Sequence, residues 1–375
     1  MVHTRLTLGV TLLRSLRILA GLTAVAATAA TLGAAPATAA PTVDDKATGL
    51  VGPLGIHVGP EGLFVAQNFA GTIDRIRANG TVENVAAASD PSGFVVDGKR
   101  VVYNTSVLSE EGGATQARLE LLKANGDVVR LANLLGFEKR RNPDGDQRYG
   151  IRGASKSCQE KLPEGVAPYS GITDAHPYAV AEAPKGGWYV ADAAGNDILK
   201  VSRKGKISVV AVLKPAVTKI TRKMARNFGL PNCAAGKKVA FEPVPTDVEV
   251  AKNGSLVVSL LPGGPEDPSA GARGQVVRIA PGSGKQTLIA KGFASATNVA
   301  IGKKGKIYVS ELFGNQISVI NKKGKVRPYV ELNQPSAVEY FGGKLYATYD
   351  TFPPEDGPPN GKVAVIRSGG TVTGR

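Results

Sequence analysis

A repeat of about forty residues runs through this chain and constrains its fold more than any other feature. Its clearest copy spans residues 177–213, with the sequence PYAVAEAPKGGWYVADAAGNDILKVSRKGKISVVAVL. Four short apolar runs in this copy are separated by APKGG, AAGN and SRKG. These runs are rich in β-branched and aromatic residues, and the segments between them are short and contain turn-forming residues. This pattern predicts antiparallel strands joined by tight turns. One copy is therefore predicted to be a four-stranded meander.

Six copies of this unit are in register along the chain. They begin at Pro53, Pro91, Pro177, Pro245, Ala296 and Pro335. Six four-stranded sheets in a ring leave no long exposed sheet edge. A β-sandwich is the alternative, but it does not explain why the same turn residues recur at the same point of every forty-residue copy. The predicted fold is all-β, a six-bladed β-propeller of four-stranded antiparallel blades in one domain, residues 41–375. Either residues 46–51 or residues 370–372, or both, are expected to close the ring.

The first forty residues have the pattern of a secretory signal peptide. Arg5, Arg14 and Arg17 precede an apolar stretch at residues 18–35, and residues 37–39 (Ala-Thr-Ala) form a small-residue cleavage site. A membrane anchor is the less favoured interpretation, because the stretch is rich in alanine, glycine and threonine. We therefore predict cleavage after residue 40, secretion of the remaining chain, and no transmembrane segment after cleavage.

The basic excess belongs to the part of the chain that remains after cleavage. Three of the 46 basic residues and none of the 31 acidic ones lie in the first forty positions, which leaves a net charge of about +12. Clusters of cations fall in predicted tight turns at residues 203–206, 303–306 and 322–325. They predict either contact with an anionic cell-envelope surface or simple solubility. Export argues against nucleic acid as a partner.

The chain contains two cysteines, Cys158 and Cys233, and both lie in irregular insertions between predicted strands. A single pair of cysteines in an oxidising compartment usually forms a disulfide. Neither cysteine has a second cysteine or a histidine at metal-ligand spacing, which argues against a metal site here. We therefore predict a Cys158–Cys233 disulfide.

The long insertions are all expected on one face of the ring. In an up-and-down meander the second turn of each blade and the link to the next blade lie on the same side, and these are the connections that are extended. They cover residues 106–113, 132–176, 214–244, 261–274 and 350–361. Functional loops accumulate where a rigid scaffold presents them. This loop face is a candidate binding surface for a small molecule, a glycan or a protein.

A second candidate site lies at the mouth of the central channel. Equal positions of the innermost strands should lie at equal height around the axis, and two such positions carry polar residues in several copies. The candidates are His57, Asp247, Glu249, Asn298 and Glu339, with Asp174 and His176 just before the third copy. Oxygen ligands such as those of Asp247, Glu249 and Asn298 suit calcium, which could polarise a carbonyl or activate a water. The alternative is the polar lining of a water-filled tunnel.

Other motifs add little chemistry. Residues 142–146 (Asn-Pro-Asp-Gly-Asp) have a D-x-D spacing suggestive of calcium, but they lack the other ligands of an EF-hand and are predicted to form a turn. The chain has no serine nucleophile elbow, no phosphate-binding glycine loop and no H-E-x-x-H motif. No catalytic residue is assigned from these patterns.

The blade motifs resemble those of NHL- and TolB-like propellers, and more closely those of the ScyD/ScyE family of secreted proteins. The similar stretches include VGPLGIHVGPEGLFVAQNFAGTI, HPYAVAEAPKGGWYVADAAGNDIL and LPNCAAGKKVAFEPVPTDVEV. This resemblance implies an exported accessory factor without an assigned catalytic set. A looser resemblance to six-bladed lactonases of the gluconolactonase type implies a channel-bound calcium with Glu, Asn and Asp ligands.

Two functions from different classes follow from these observations. The first is a secreted binding module that uses the loop face. The alternative is a calcium-dependent hydrolase, lactonase or lyase that acts at the channel mouth. The sequence leaves open whether the protein is an enzyme.

Overall fold

The computed structural model describes residues 40–264 and 271–368. These residues form 28 strands, numbered in chain order, which are arranged in seven four-stranded antiparallel sheets with few helices. The predicted signal peptide and the segment 370–372 lie outside the described residues. The all-β prediction is confirmed.

Five of the sheets each contain four consecutive strands. Sheet 1 consists of β2 (Pro53–Gly59), β3 (Gly62–Gln67), β4 (Thr72–Ile76) and β5 (Val82–Ala87). Sheet 2 consists of β6 (Phe94–Asp97), β7 (Arg100–Leu108), β8 (Ala114–Leu122) and β9 (Val128–Asn133). Sheet 3 consists of β12 (Pro177–Glu182), β13 (Trp188–Asp192), β14 (Asp197–Val201) and β15 (Ile207–Val212). Sheet 4 consists of β18 (Pro245–Val250), β19 (Leu256–Leu260), β20 (Gly274–Ala280) and β21 (Lys285–Phe293). Sheet 5 consists of β22 (Ala296–Ile301), β23 (Ile307–Glu311), β24 (Gln316–Ile320) and β25 (Val326–Glu331).

Sheet 6 combines the two ends of the described chain. It consists of β26 (Val338–Phe341), β27 (Lys344–Tyr349), β28 (Gly361–Arg367) and, at its outer edge, β1 (Thr42–Leu50). Strand β1 pairs antiparallel with β28, from Thr42 opposite Arg367 to Leu50 opposite Gly361. The N-terminal segment therefore supplies a fourth strand to the last sheet.

The innermost strands of these six sheets follow one another in a closed circuit. Strands β2, β6, β12, β18, β22 and β26 each contact the next in this order, and β26 contacts β2. A separate hydrophobic cluster lies between each pair of neighbouring sheets, including the pair formed by sheets 6 and 1. The Ser336 hydroxyl donates a hydrogen bond to the Pro53 carbonyl at 2.6 Å and so joins the last sheet to the first.

Burial on both faces explains the apolar character of the second strands. All five residues of β23, IYVSE, are buried. In β13, Tyr189 and Ala191 pack towards sheet 4, whereas Val190 packs towards sheet 2. Successive side chains of a strand point to opposite faces, so a strand between two packed neighbours needs apolar residues on both.

The seventh sheet, here called the accessory sheet, is formed by the two long links. Its strands, in spatial order, are β11 (Tyr169–Ser170), β10 (Arg148–Arg152), β17 (Lys238–Phe241) and β16 (Ala216–Lys219). The links also contain the helices α1 (Leu134–Arg141), α2 (Lys156–Gln159) and α3 (Arg222–Asn227). The interpretation of both links as irregular insertions was incomplete, because strands from one link pair with strands from the other.

The Cys158–Cys233 disulfide holds the two links together, as predicted, with a Cα–Cα distance of 6.0 Å. Beside it lies a small separate core of Ile151, Ile220 and Val239 with their neighbours. No helix among the described residues is long and apolar enough to span a membrane.

Candidate functional site

A cavity of about 260 Å³ lies among the innermost strands, and each of the six contributes residues to its wall. Five of the seven predicted site residues line it: His57, Asp247, Glu249, Asn298 and Glu339. Apolar residues such as Ile56, Val180 and Val338 also belong to its wall. The structure therefore brings together the polar residues that the repeat register placed around one axis.

Two of these residues also bridge neighbouring sheets. The Asp247 carboxylate accepts hydrogen bonds from the Val248 backbone N–H at 2.8 Å and from the Val299 N–H of sheet 5 at 2.9 Å. In the same way, Asn298 Oδ1 accepts from the Val338 N–H of sheet 6 at 2.9 Å. Both side chains thus help to fix the spacing of the inner strands.

The equivalent position in sheets 1 and 2 is glycine, for reasons of space. A Cβ atom on Gly55 would lie 1.9 Å from the Ser92 carbonyl oxygen, and one on Gly93 would lie 2.4 Å from the Ala179 Cα. Neighbouring inner strands approach so closely here that no side chain fits. This position of the repeat is therefore used mainly for contact between sheets.

The three carboxylates of the cavity interact electrostatically. Burial raises the pKa of Asp247 to about 7, although its two backbone hydrogen bonds act to lower it. Burial also raises the pKa of Glu339 to about 7, and the charge of Asp247 adds to the effect. For Glu249, burial and the charges of Glu339 and Asp247 raise the pKa well above its ordinary value. Around neutral pH these three groups hold both protons and negative charge.

His57 lies in the same cavity between two aromatic rings. Its ring centroid is 6.4 Å from that of Phe64 and 6.1 Å from that of Phe94. Burial lowers the pKa of His57, so the imidazole is neutral at neutral pH. Its Nε2 atom is buried and has no hydrogen-bond partner among the described residues. A ligand in the cavity could supply that partner.

The two predicted residues at the channel mouth, Asp174 and His176, take part in a network outside the cavity wall. Asp174 Oδ1 accepts from the Ala114 and Ala175 N–H groups. His176 Nε2 lies 2.5 Å from Asp90 Oδ2, and its backbone N–H donates to Asp192 Oδ1 at 2.7 Å.

Opposing effects act on the pKa of His176. Burial lowers this pKa. The hydrogen bond to Asp90 and the charges of Asp90, Asp192 and Asp174 raise it by a larger amount, so the net pKa lies above the ordinary value. Sequence reasoning did not single out Asp90, because it lies in a turn before the second copy rather than in a strand.

Hydrogen bonds already occupy several of the oxygens that the calcium ion implied by the gluconolactonase resemblance would need. The oxygens of Asp247 and Asn298 already accept backbone hydrogen bonds, and Glu339 Oε1 accepts from the Tyr340 N–H at 3.0 Å. No three histidine, cysteine, aspartate or glutamate side chains of residues 40–264 and 271–368 form a group that could hold a metal. Calcium at Asp247, Glu249 and Asn298 stays a prediction, and no chemical step below depends on it.

A set of hydroxyl groups next to the site was missed by the sequence reasoning. Thr246, Thr297 and Ser336 occupy the second position of their copies, and each donates to a carbonyl at the start of the next sheet, at 3.0, 2.8 and 2.6 Å. The recurrence of Thr or Ser at this position was the available signal.

Comparison with known proteins identifies the fold. No protein-family model and no curated protein matches this sequence. Among solved structures, a luciferin-regenerating enzyme has a TM-score of 0.54 at 10% identity, with 88% of this chain and 97% of that chain covered. A gluconolactonase from Xanthomonas campestris has a TM-score of 0.54 at 13% identity, with 89% and 91% covered. Virginiamycin B lyase from Staphylococcus aureus has a TM-score of 0.49 at 13% identity, with 86% and 97% covered. At these identities the likeness to the first two structures concerns the fold alone, and the fold of this chain is a β-propeller.

Proposed function

We propose that this protein acts on a small molecule in the central cavity, as a hydrolase of the lactonase kind or as a lyase, with Glu249 and Glu339 as its acid and base. The observation that carries the proposal is the group of three interacting carboxylates around one cavity, with pKa values raised into or above the neutral range. Such groups cluster at sites of proton transfer. The cavity volume of about 260 Å³ suits a small ligand.

The raised pKa values divide the roles between the two glutamates. Glu249 has the environment that most favours its protonated form, so it is the acid, and Glu339, with a pKa of about 7, is partly ionised and is the base. In lactone hydrolysis, Glu339 takes a proton from water as the water oxygen attacks the ester carbon. Glu249 gives its proton to the ring oxygen as the C–O bond breaks, and one water is consumed. In a lyase reaction the same base would take a proton from carbon while the acid protonates the leaving group.

Asp247 and His57 have supporting roles in this proposal. Asp247 is fixed by two backbone hydrogen bonds, so it acts as a positioning residue whose charge raises the pKa values of both glutamates. The unpartnered Nε2 of the neutral His57 offers one hydrogen bond to a bound ligand.

The test is a panel of lactones, esters and lyase substrates, assayed with the wild type and with Glu249→Gln. We expect turnover of at least one substrate class and a loss on the order of a hundredfold or more in the variant, because general acid catalysis contributes about that much. The matched control is Glu182→Gln, an exposed glutamate at the rim of the same cavity. Equal turnover by Glu249→Gln and the wild type would overturn the assignment of the acid.

The second candidate function, a binding module on the loop face, is favoured by a stack of three phenylalanines. The ring centroids of Phe69 and Phe352 are 5.9 Å apart, and those of Phe313 and Phe352 are 6.0 Å apart, with nearly parallel planes. All three lie in connections that follow second strands, and Phe69 is 39% exposed. Such a surface suits a ligand with an apolar or aromatic face. No turnover in the panel, together with ligand binding that is lost in Phe313→Ser, would favour this function.

We further propose that the six sheets built from the repeats are six blades of a single domain, residues 41–375, and that the protein is exported. The closed circuit of inner strands supports the first point, and the disulfide supports the second. Membership of the ScyD/ScyE family and contact of the basic turns with an anionic cell envelope also stay proposals. Mass spectrometry of the exported protein tests the cleavage after residue 40.

A further inference from the structure

A second group of buried acids lies away from the cavity, where helix α1 of the first long link packs between sheets 2 and 3. Leu134 and Leu135 of α1 belong to the same hydrophobic cluster as Val190 and Leu199 of sheet 3. Glu138 follows Leu134 by four residues, so it lies on the same face of the helix and is only 2% exposed. The helix therefore buries a carboxylate in an otherwise apolar contact.

The turn after the helix brings two more oxygen-bearing side chains to Glu138. Asn142 ends α1 in a left-handed conformation, and Asp144, which follows two residues later, is fully buried. One polar atom of the Asn142 amide lies 3.2 Å from Glu138 Oε1 and 3.1 Å from Asp144 Oδ1. If that atom is nitrogen, it donates to both carboxylates. If it is oxygen, Nδ2 donates to the Gly171 carbonyl at 3.4 Å and three oxygens face one another, an arrangement that a proton on one carboxyl group or a bound cation would stabilise.

The remaining contacts hold Asp144 in place. Its Oδ2 accepts from the Tyr149 hydroxyl and from Asn196 Nδ2, both at 2.9 Å. Gly171 lies against the other side of the carboxylate, where a Cβ atom would come within 2.2 Å of Asp144 Oδ1. The position of Oδ1 is thus set by the protein, while Oδ1 itself points towards Glu138 and Asn142.

An independent observation is Asp197, whose two carboxylate oxygens are buried and have no hydrogen-bond partner among the described residues. The side chain is 1% exposed. Leu199 and Val201, on the same face of β14, pack in the cluster that contains Leu134 and Leu135, so strand alternation points Asp197 towards α1. The charges of Asp192, Glu138 and Asp144 all act on it. Asp197 is therefore an unpartnered carboxylate directed at this group.

Two of these acids, Glu138 and Asp197, take part in no ion pair in the described part of the chain. Asp192 differs from them, because the charge of His176 acts on it and the His176 backbone N–H donates to it. Buried carboxylates without a counter-charge must either take up protons or hold a cation. In the first case Glu138 is protonated, since burial and the charges of Asp192, Asp144 and Asp174 raise its pKa to about 8.

We propose that Glu138, Asn142 and Asp144 bind a hard divalent cation of the calcium type, with Asp197 as a nearby negative charge. In this proposal the inner ligands are the two carboxylates and the Asn142 amide oxygen, and water would complete the coordination. Calcium accepts this mixture of oxygen ligands and commonly takes six to eight of them. The site is distinct from the central cavity, whose wall contains none of these residues.

This proposal revises the sequence interpretation of residues 142–146 as a turn without a metal. The ligands follow the spacing E-x3-N-x-D, in which the first comes from the helix and the others from the turn. Asp146, the second acid of the D-x-D pattern, is exposed and takes no part. A bound cation would fix α1 and the start of the accessory sheet against sheet 3.

The experiment uses the mature chain, residues 41–375, freed of metal by chelation and then titrated with calcium chloride to about 10 mM, well above the dissociation constants of weak extracellular sites. We expect the Tm to rise by about 4 °C at a hundredfold excess over the dissociation constant, given the unfolding entropy of a domain of this length. The response should be lost in Asp144→Asn and kept in the matched control Asp146→Asn. It should also be kept in Glu249→Gln, which alters the central cavity.

A luminescence measurement decides the matter even if Asp144→Asn does not fold. Terbium(III), a substitute for calcium, should emit on tyrosine excitation because the Tyr149 hydroxyl lies 2.9 Å from Asp144 Oδ2. Most of that emission should be lost in Tyr149→Phe and kept in Tyr178→Phe, which alters the wall of the central cavity. The absence of any calcium response in the wild type, or a response lost in Glu249→Gln instead, would overturn the proposal.

Discussion

Replacing Glu339 by glutamine is expected to remove about 3 kcal/mol of pH dependence from the free energy of unfolding. Burial and the charge of Asp247 raise the pKa of Glu339 from 4.5 to about 7. Each pKa unit corresponds to about 1.4 kcal/mol, so the shift is worth roughly 3 kcal/mol. Glutamine keeps the side-chain length and an oxygen that can accept the hydrogen bond from the Tyr340 N–H.

The sign of the effect follows from proton uptake. Between about pH 4.5 and 7, Glu339 holds a proton in the folded protein and has lost it in the unfolded chain. The free energy of unfolding therefore falls as the pH rises through this window. The stabilisation is fully present below pH 4.5 and is lost above about pH 7. The glutamine variant lacks this loss, so relative to the wild type it gains about 3 kcal/mol between pH 4 and pH 8.

Urea denaturation of both proteins from pH 4 to pH 8, with chelator present, measures the difference. The m-value should be the same for both, so that only stability is compared. Glu182→Gln serves as the control, since it makes the same chemical change at an exposed glutamate at the end of β12. A difference between Glu339→Gln and the wild type that does not change with pH would refute the reasoning. Loss of the difference on addition of calcium would place a cation in the cavity instead.

Three further predictions concern the scaffold and its surface. Replacing Cys158 and Cys233 by serine should lower the free energy of unfolding by about 2–4 kcal/mol, because the bridge closes a loop of 75 residues around sheet 3; equal urea midpoints would show that the bridge contributes nothing. Ser336→Ala should lower the free energy of unfolding by about 1–3 kcal/mol, because the Pro53 carbonyl loses its hydrogen bond across the junction of sheets 6 and 1. A decrease below about 0.5 kcal/mol, the usual size for a surface substitution, would contradict this. Replacing the exposed lysines of residues 303–306 by glutamine should decrease the fraction of protein that sediments with anionic vesicles, and so should a higher salt concentration. An unchanged fraction would argue against contact with the cell envelope.

The repeat register predicted most inner strands, and the exceptions have a structural cause. Strands β2, β12, β18 and β22 begin at the predicted residues, whereas β6 and β26 begin three residues after Pro91 and Pro335. In those two sheets a side chain replaces the usual strand partner: the Gly93 N–H donates to Asn104 Oδ1, and the Ala337 N–H donates to Thr348 Oγ1. The turn residues and the apolar alternation of the sequence do not indicate where a side chain will accept a backbone hydrogen bond in place of a neighbouring strand.

The accessory sheet could not be predicted from the sequence, because its strands pair with partners that are distant in the chain. Strands β10 and β17 are short, and residues that pair across them, such as Ile151 and Val239, are separated in the chain by the whole of sheet 3. Hairpin signals act over a few residues, so they could not indicate this partner. Only the two cysteines linked the insertions in the sequence.

The candidate site was predicted by residue type and position, but not by hydrogen bonding. Asp247 and Asn298, which the register predicted near the axis, both line the cavity. The register could not indicate that N–H groups of the next strand lie within reach of their oxygens. Glu138 and Asp197 were not selected at all, because nothing in their apolar surroundings distinguishes a buried acid from an exposed one before the fold is known.

The distribution of charge links the two acidic groups. The chain after residue 40 has a net charge of about +12, and the cations of its basic turns are exposed, so they cannot neutralise acids in the interior. Protons and bound cations are two ways to neutralise the cavity carboxylates and the acids at α1, and each leaves a different signature. If protons neutralise the cavity and a cation neutralises the group at α1, then Glu339→Gln alters the response to pH and Asp144→Asn alters the response to calcium. If instead Glu339→Gln alters the response to calcium and Asp144→Asn alters the response to pH, the metal lies in the cavity and the protonated acids lie at α1.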